Sequence, residues 1–245
     1  MKRHIETPRL PKTKVTAVVM SPQNKEAVRS IENMGIEVIA TSKSSDLCDN
    51  VAYHADMLFS HIGKTAYYAE KNQVSMMTRL TSLGFLSAAC DISLNPDYPN
   101  DCVLNNLIID KHLFVGKKTP IHNIYESFDK IYLSQGYVAC SVAVVSENAA
   151  MTFDKGIASA LRRNNIDSCL LSTGEIYLKG HKTGFIGGCC GKLSKDILAF
   201  TGKVSALGYF DIIKNFCKKH DVEIVELSTG SVEDIGGIIP ITEIK

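Results

Sequence analysis

The chain has 245 residues, 45% of them hydrophobic and 22% charged, with a formal net charge of +1. That is ordinary globular composition, long enough to bury a large core without disulfide or metal staples. Its dispersed Lys and Arg residues argue against a nucleic-acid footprint, which needs a clustered basic face. The opening segment, MKRHIETPRLPKTK, is charged and lacks an apolar core, and no run approaches a membrane span. A cytoplasmic protein with neither a membrane nor a nucleic-acid partner is expected. The eight cysteines show no C-x₂₋₄-C spacing and read as free thiols, so no metal and no cofactor is predicted.

Five apolar stripes at helical spacing follow one another along the chain. Ala27, Val28, Ile31 and Met34 form the first, stopped at Gly35. Val74, Met77, Leu80 and Leu83 form the second, stopped at Gly84. Ile121, Ile124, Tyr125 and Phe128 form a shorter third. Ile157, Ala158 and Leu161 form a fourth, with Asp154 as its N-cap. Leu207, Phe210, Ile213 and Cys217 form the fifth.

A strand-like run follows each stripe, at 36–40, 85–90, 130–134, 167–172 and 222–228. Another precedes each, at 15–20, 55–69, 104–116, 142–153 and 197–205. Four of the preceding runs are long enough for a hairpin. Their turn candidates are His61-Ile62-Gly63-Lys64, Asp110-Lys111-His112, Glu147-Asn148 and Thr201-Gly202. Leu133-Ser134-Gln135-Gly136, Leu171-Ser172-Thr173-Gly174 and Leu227-Ser228-Thr229-Gly230 repeat one phrase, read as a strand exit into a glycine turn.

The repeating unit is strand, turn, strand, helix, strand, so the sequence predicts a single α/β domain of five pseudo-fivefold units. Their boundaries fall at about 14–50, 51–99, 100–137, 138–178 and 179–245, after an N-terminal arm at 1–13, and the first unit is abbreviated. A doubly wound sheet is the competing architecture; the hairpins before the helices count against it.

Familiar motifs are absent. Leu58 and Ile186 stand where a P-loop before Gly63-Lys64-Thr65 or Gly191-Lys192 needs glycine, and neither a Gly-x-Gly-x-x-Gly nor a G-x-S-x-G motif occurs. The stretch Gly184-Phe185-Ile186-Gly187-Gly188-Cys189-Cys190-Gly191 allows a tight backbone approach to a ligand. Cys189 or Cys190 is a candidate nucleophile, or else a packed core thiol; in an extended strand only one could face a given cavity. His181 is its candidate proton carrier. His54 and Asp56 would share one strand face, the carboxylate either binding a ligand or capping a strand end. Asn105, Asn148 and Asp234 stand at unit entries or turns, where polar residues either line a central channel or form turns.

Five such units, ending in Gly-Gly and a short apolar strand, resemble the pentein fold, the five-bladed α/β propeller of the guanidino-group-modifying enzymes. The resemblance spans nearly all of residues 14–245 and extends in particular to an uncharacterised bacterial branch. It implies a cysteine attacking a guanidinium carbon, a histidine protonating the departing amine, and carboxylates holding the planar cation. Asp56 matches a substrate-binding carboxylate. The region matching the family's histidine is Gly187-Gly188-Cys189-Cys190, and that matching its nucleophile is Gly236-Gly237-Ile238-Ile239-Pro240; neither carries the expected residue.

Two functions follow. One is a hydrolase or transferase acting on a guanidino or amide-bearing small molecule, with Cys189, Cys190 and His181 catalytic and Asp56, His54, Asp234, Asn105 and Asn148 binding. The other is a non-catalytic scaffold binding a protein or small-molecule partner. A homo-oligomer is compatible with both.

Overall fold

The computed structural model describes residues 2–69, 73–89, 92–172 and 174–245. Cys90, at the end of one expected strand, and Thr173, within one Leu-Ser phrase, lie outside the described residues. The chain forms a mixed α/β fold with five small sheets among those residues.

In chain order, β1 (Lys2–His4) and β2 (Val15–Met20) precede α1 (Lys25–Asn33) and β3 (Glu37–Ala40). The single turn α2 (Ala55–Leu58) leads into β4 (Phe59–Ile62), β5 (Thr65–Tyr68), α3 (Val74–Ser82) and β6 (Leu86–Ala89). The third sheet holds β7 (Leu107–Ile109), β8 (His112–Gly116) and β9 (Asp129–Leu133). The turn α4 (Val138–Ser141) opens β10 (Val142–Ser146), β11 (Ala149–Thr152), α5 (Lys155–Arg163) and β12 (Asp167–Leu170). A 3-10 turn at Gly187–Cys189 opens β13 (Cys190–Ser194), β14 (Ile197–Phe200), α6 (Phe210–Lys219) and β15 (Glu223–Glu226); β16 (Ile238–Ile244) ends the chain.

Four sheets share one pattern, an antiparallel hairpin and then a parallel third strand. The first sheet takes its hairpin partner from the other end of the chain. β16 lies antiparallel to β2, with Ile239 opposite Val19, and β1 adds to its far side. This pairing explains why the first unit reads as abbreviated. It also removes residues 238–244 from the fifth unit, where the sequence placed them.

The inner strands are buried on both faces, so they read as continuous apolar runs rather than alternating ones. Alternate residues serve alternate seams. Ala17, Val19 and Ile239 of the first sheet pack on Phe59 and Ala66 of the second. Ile62 of the second packs on Ile108, Leu113 and Val115 of the third. Leu107, Ile109 and Phe114 of the third meet Val142 and Val144 of the fourth. Ala143, Val145 and Met151 of the fourth meet Cys190, Leu198 and Phe200 of the fifth. Leu193 and Ala199 of the fifth meet Val18 and Ile238 of the first.

Helix ends follow the expected chemistry. Asp154 caps α5 by accepting from the Ile157 N–H at 2.8 Å. Gly35 and Gly84 take φ of 77° and 84° just past α1 and α3, while Asn165 and Asp221 occupy the same left-handed position after α5 and α6. No helix among the described residues is long and apolar enough to cross a membrane.

Three local expectations change. The third stripe is a 3-10 turn at Asn123–Tyr125 rather than an α-helix, although Ile121, Ile124, Tyr125 and Phe128 do pack together on the third sheet. The fifth hairpin turns between Ser194 and Ile197, not at Thr201-Gly202, because β13 pairs with β14. Lys192 disguises β13 as polar, yet its side chain is buried and its ammonium donates to the Val145 carbonyl at 2.5 Å. Of the Leu-Ser phrases, only Gly174 has a left-handed φ, 113°. Gly136 is instead required by contact, since a Cβ there would fall 2.4 Å from the Tyr98 ring.

Candidate functional site

The unit entries converge. Asn105 links two of them: its backbone carbonyl accepts from the Val138 and Ala139 N–H groups, and its Oδ1 accepts from the Cys140 N–H at 3.1 Å. Its Nδ2 donates to Cys140 Sγ at 2.9 Å and to the Asp56 carbonyl at 3.4 Å. The Asp56 N–H donates to the Gly236 carbonyl, and the Gly237 N–H donates to the Gly188 carbonyl at 2.8 Å. Gly187 closes on α4, where a Cβ would fall 2.4 Å from the Val142 carbonyl oxygen and 2.5 Å from that of Ala139. These contacts run from residue 56 through 105, 140 and 187–188 to 236–237 and back to 56.

At this junction Cys140 Sγ donates to Asp56 Oδ2 at 2.9 Å. Asp56 Oδ1 is buried with no hydrogen-bond partner. Burial pushes the Asp56 carboxyl up, opposed by His54 and Arg9. Burial, and then the Asp56 charge, pushes the Cys140 thiol well above its usual range. The two groups form a coupled acid pair, with a thiol proton directed at a carboxylate.

A cavity of about 280 Å³ opens beside this pair, with Cys140, His54, Asp234, Asp101, Tyr137 and His181 in its polar wall. Leu47, Val51, Met57 and Leu178 supply the apolar part, and the Tyr137 and Phe185 rings lie with centroids 6.2 Å apart. Asp234 accepts from the Phe185 N–H at 2.8 Å and the Gly236 N–H at 3.1 Å. Burial raises its carboxyl to about 6, against those two bonds, so it is ionised at neutral pH. His54 Nδ1 lies 3.8 Å from Asp234 Oδ1, and burial keeps the imidazole neutral by lowering its pKa. Tyr137 donates to Asp101 Oδ2, while Asp101 Oδ1 is buried without a partner. Buried carboxylates and aromatic faces favour a cation, and no group of three or more metal-ligating side chains occurs among the described residues.

The predicted residues divide into two sets. His54, Asp56, Asn105 and Asp234 come together at the junction, and His181 sits at the cavity wall against Asn50. His54 and Asp56 lie at the start of a helical turn, not on one strand face, because the Asp56 N–H is held by Gly236. Cys189 and Cys190 are placed elsewhere, in the apolar seam between the fourth and fifth sheets. Both thiols donate to the Ile186 carbonyl, at 3.1 and 3.2 Å. They share this acceptor because Cys189 ends a 3-10 turn, so the alternation of an extended strand does not apply. Burial pushes Cys189 well above its usual range and Cys190 up to about 12. Asn148 is exposed in the β10–β11 turn, where it accepts from the Ser146 hydroxyl. It borders a surface groove of about 1410 Å³ that shares no lining residue with the cavity.

The sequence sets Asp101 and Cys140 at unit entries, where polar residues either line a channel or form turns, but gives neither a role in the chemistry; Tyr137 and Arg9 carry no such signal. Cys140 carried a positional signal, since it stands just before an apolar inner strand as Asp56 does.

The fold is similar to that of several solved enzymes. Agmatine deiminase of C. jejuni aligns at 10% identity over 93% of this chain and 90% of that chain, with a TM-score of 0.56. An amidinotransferase from Microseira wollei in the saxitoxin biosynthetic pathway aligns at 9% identity over 91% and 92%, with a TM-score of 0.53. DDAH from Pseudomonas aeruginosa, complexed with citrulline, aligns at 8% identity over 92% and 96%, with a TM-score of 0.53. At these identities the likeness is one of fold, and the fold is that of the penteins. The chain belongs to the family of unknown function DUF6873, whose model matches residues 18–239. No curated protein matches it in sequence.

Proposed function

We propose that the five sheets are the blades of a ring around the junction of residues 56, 105, 140, 188 and 236, and that the cavity at one end takes a small cation bearing a planar guanidino or amidine group. The cyclic order of the apolar seams and the closed circuit of entry contacts support the ring. Asp234 and Asp101 hold the cation. Cys140 replaces Cys189 and Cys190 as the nucleophile. Its proton passes to Asp56 Oδ2, and the thiolate attacks the amidine carbon. The bond to the departing nitrogen breaks as that nitrogen takes up a proton, with His54 and His181 as carriers; water or an amine then displaces sulfur from carbon. Water makes the protein a hydrolase, and an amine makes it a transferase.

The observation that carries this reading is the 2.9 Å contact between the Cys140 thiol and Asp56, beside a cavity that presents Asp101 and Asp234. A haloacetamidine places an alkylating carbon beside a planar cation, and a haloacetamide is its neutral counterpart. Cys140 is expected to react faster with the cation, and Asp234→Asn to remove that preference. Equal rates, or labelling elsewhere, would reject the reading.

Binding without chemistry is the second reading. It is favoured by the thiol being held protonated by burial and Asp56 while accepting from Asn105. A guanidino compound that raises Tm equally in wild type and Cys140→Ala, with no ammonia or amine released by either, would support it.

A further inference from the structure

The N-terminal arm crosses the far side of the junction. β1 is paired with β16, and the Ile5 N–H donates to the Ile241 carbonyl, which ties the arm to the first sheet. Leu10 is buried with Leu107, Phe114 and Val142, between the third and fourth sheets. The segment between these anchors turns at Thr7–Leu10, with Arg9 at a left-handed φ of 65°. A non-glycine residue is held in that conformation only where the surroundings fix it.

This turn aims Arg9 inward. Its side chain is 11% exposed, and Nη2 lies 4.0 Å from Asp56 Oδ2, the oxygen that accepts from Cys140. Arg9 borders two small voids, one lined by Asp56, His61 and Asn106 and the other by Val142, Cys190 and Lys192. The cavity that holds Cys140 and Asp234 does not include it. The guanidinium therefore approaches Asp56 from the side opposite the ligand.

We infer that Arg9 is a positioning residue which keeps Asp56 an anion, and so sets the pH at which Asp56 can take the Cys140 proton. The second half rests on the reading of Cys140 as nucleophile; the first does not. A buried carboxylate beside a second carboxylate is driven toward its neutral form, and a guanidinium stays charged across the accessible pH range. Asp56 is faced by His54 on its own turn, by Asp234 ahead of β16, by Cys140 from α4 and by Arg9 from the arm. Arg9 also faces Cys190 of β13 and His61 of β4. Burial leaves His54 and His61 neutral near neutral pH, so Arg9 supplies the permanent positive charge.

Two measurements separate the halves. In denaturant unfolding of wild type, Arg9→Gln, Asp56→Asn and the double variant, positions 9 and 56 should be coupled by about tenfold or more in the unfolding constant near pH 8, and less near pH 5. Additive effects at both pH values would overturn the inference. If Arg9→Gln does not fold, Arg9→Lys, which keeps the charge, must fold and retain the coupling; failure of both would assign Arg9 to packing alone and overturn it too.

The second measurement is the pH profile of Cys140 alkylation by iodoacetamide, mapped by mass spectrometry. Arg9→Gln should move the midpoint upward and slow labelling about tenfold near pH 7, with Arg9→Lys restoring it. Faster labelling at every pH with an unmoved midpoint would show a loosened arm and overturn the inference. Coupling of residues 9 and 56 with no labelling of Cys140 at any pH would sustain the Arg9 charge role and refute the nucleophile.

Discussion

His61 offers a direct test of how burial in this fold tunes charge. Its ring is fully enclosed, with Nε2 3.1 Å from the Pro240 carbonyl and Nδ1 3.3 Å from that of Gly63. Burial lowers its pKa to about 4, outweighing both carbonyls. The unfolded chain binds this proton with a pKa near ~6.5, so between those values the unfolded state holds more protons than the folded one. The neutral ring's contribution is therefore fully present above the unfolded pKa and lost as pH falls through the folded one. The difference corresponds to about 3 kcal/mol in full, of which roughly 2 kcal/mol is lost by about pH 5. His61→Phe removes the titration but strands whichever carbonyl, of Pro240 or Gly63, accepts the ring N–H, costing about 1–3 kcal/mol at every pH. Urea unfolding from pH 8 to pH 5 should show the variant less stable at the alkaline end, with the gap closing or reversing at the acid end. A gap that stays constant with pH would refute the reasoning.

Asp234 should behave oppositely. Its carboxyl is raised to about 6, so its contribution is fully present below the unfolded pKa and lost as pH rises through the folded one. Wild type should thus gain about 2 kcal/mol on Asp234→Asn as pH falls from about 7 to 4, read by the same unfolding series. Gly191→Ala would place a Cβ 2.0 Å from the Ile238 carbonyl oxygen, backbone against backbone where the fifth sheet meets the first. A loss of about 3 kcal/mol or more is expected from chemical denaturation. Gly230→Ala, whose nearest neighbour would be 3.8 Å away, should change stability by no more than about 0.5 kcal/mol. Ending the chain after Gly237 removes Ile238, Ile239 and Ile241, all buried, together with the pairing of β2 and β1. At roughly 1.5–3 kcal/mol each, their loss approaches a domain's whole stability, and circular dichroism should show no cooperative transition.

The site was half legible. Asp56 stood out because a carboxylate inside an apolar run requires a partner, His54 because it would share that strand face, and Asp234 because it stands at a unit end before Gly-Gly. Cys189 and Cys190 attracted notice through their glycine-rich surroundings. Those glycines serve close backbone contacts instead: a Cβ on Gly188 would strike Asp234, and one on Gly191 would strike Ile238. Cys140 sat in an unremarkable Val-Ala-Cys-Ser stretch. Only its neighbours, Asp56 and Asn105, each from a different unit, make it chemically distinctive.

By itself the sequence determined the repeating elements. Periodicity marked most helices, and two-sided burial turned the inner strands into apolar runs. Left-handed C-terminal residues, two of them glycines, closed four helices. Tertiary structure alone decided which ends meet. The arm reads as charged and loose, yet Ile5 and Leu10 are buried in different seams and Arg9 lies under Asp56. The last strand belongs to the first sheet, not the fifth. Local patterns encode which faces of an element seek burial, but not which distant partner covers them. The proposed chemistry depends on that second choice, because Cys140 with Asp56, Asn105 with Cys140, Tyr137 with Asp101 and His54 with Asp234 each join residues far apart in the chain.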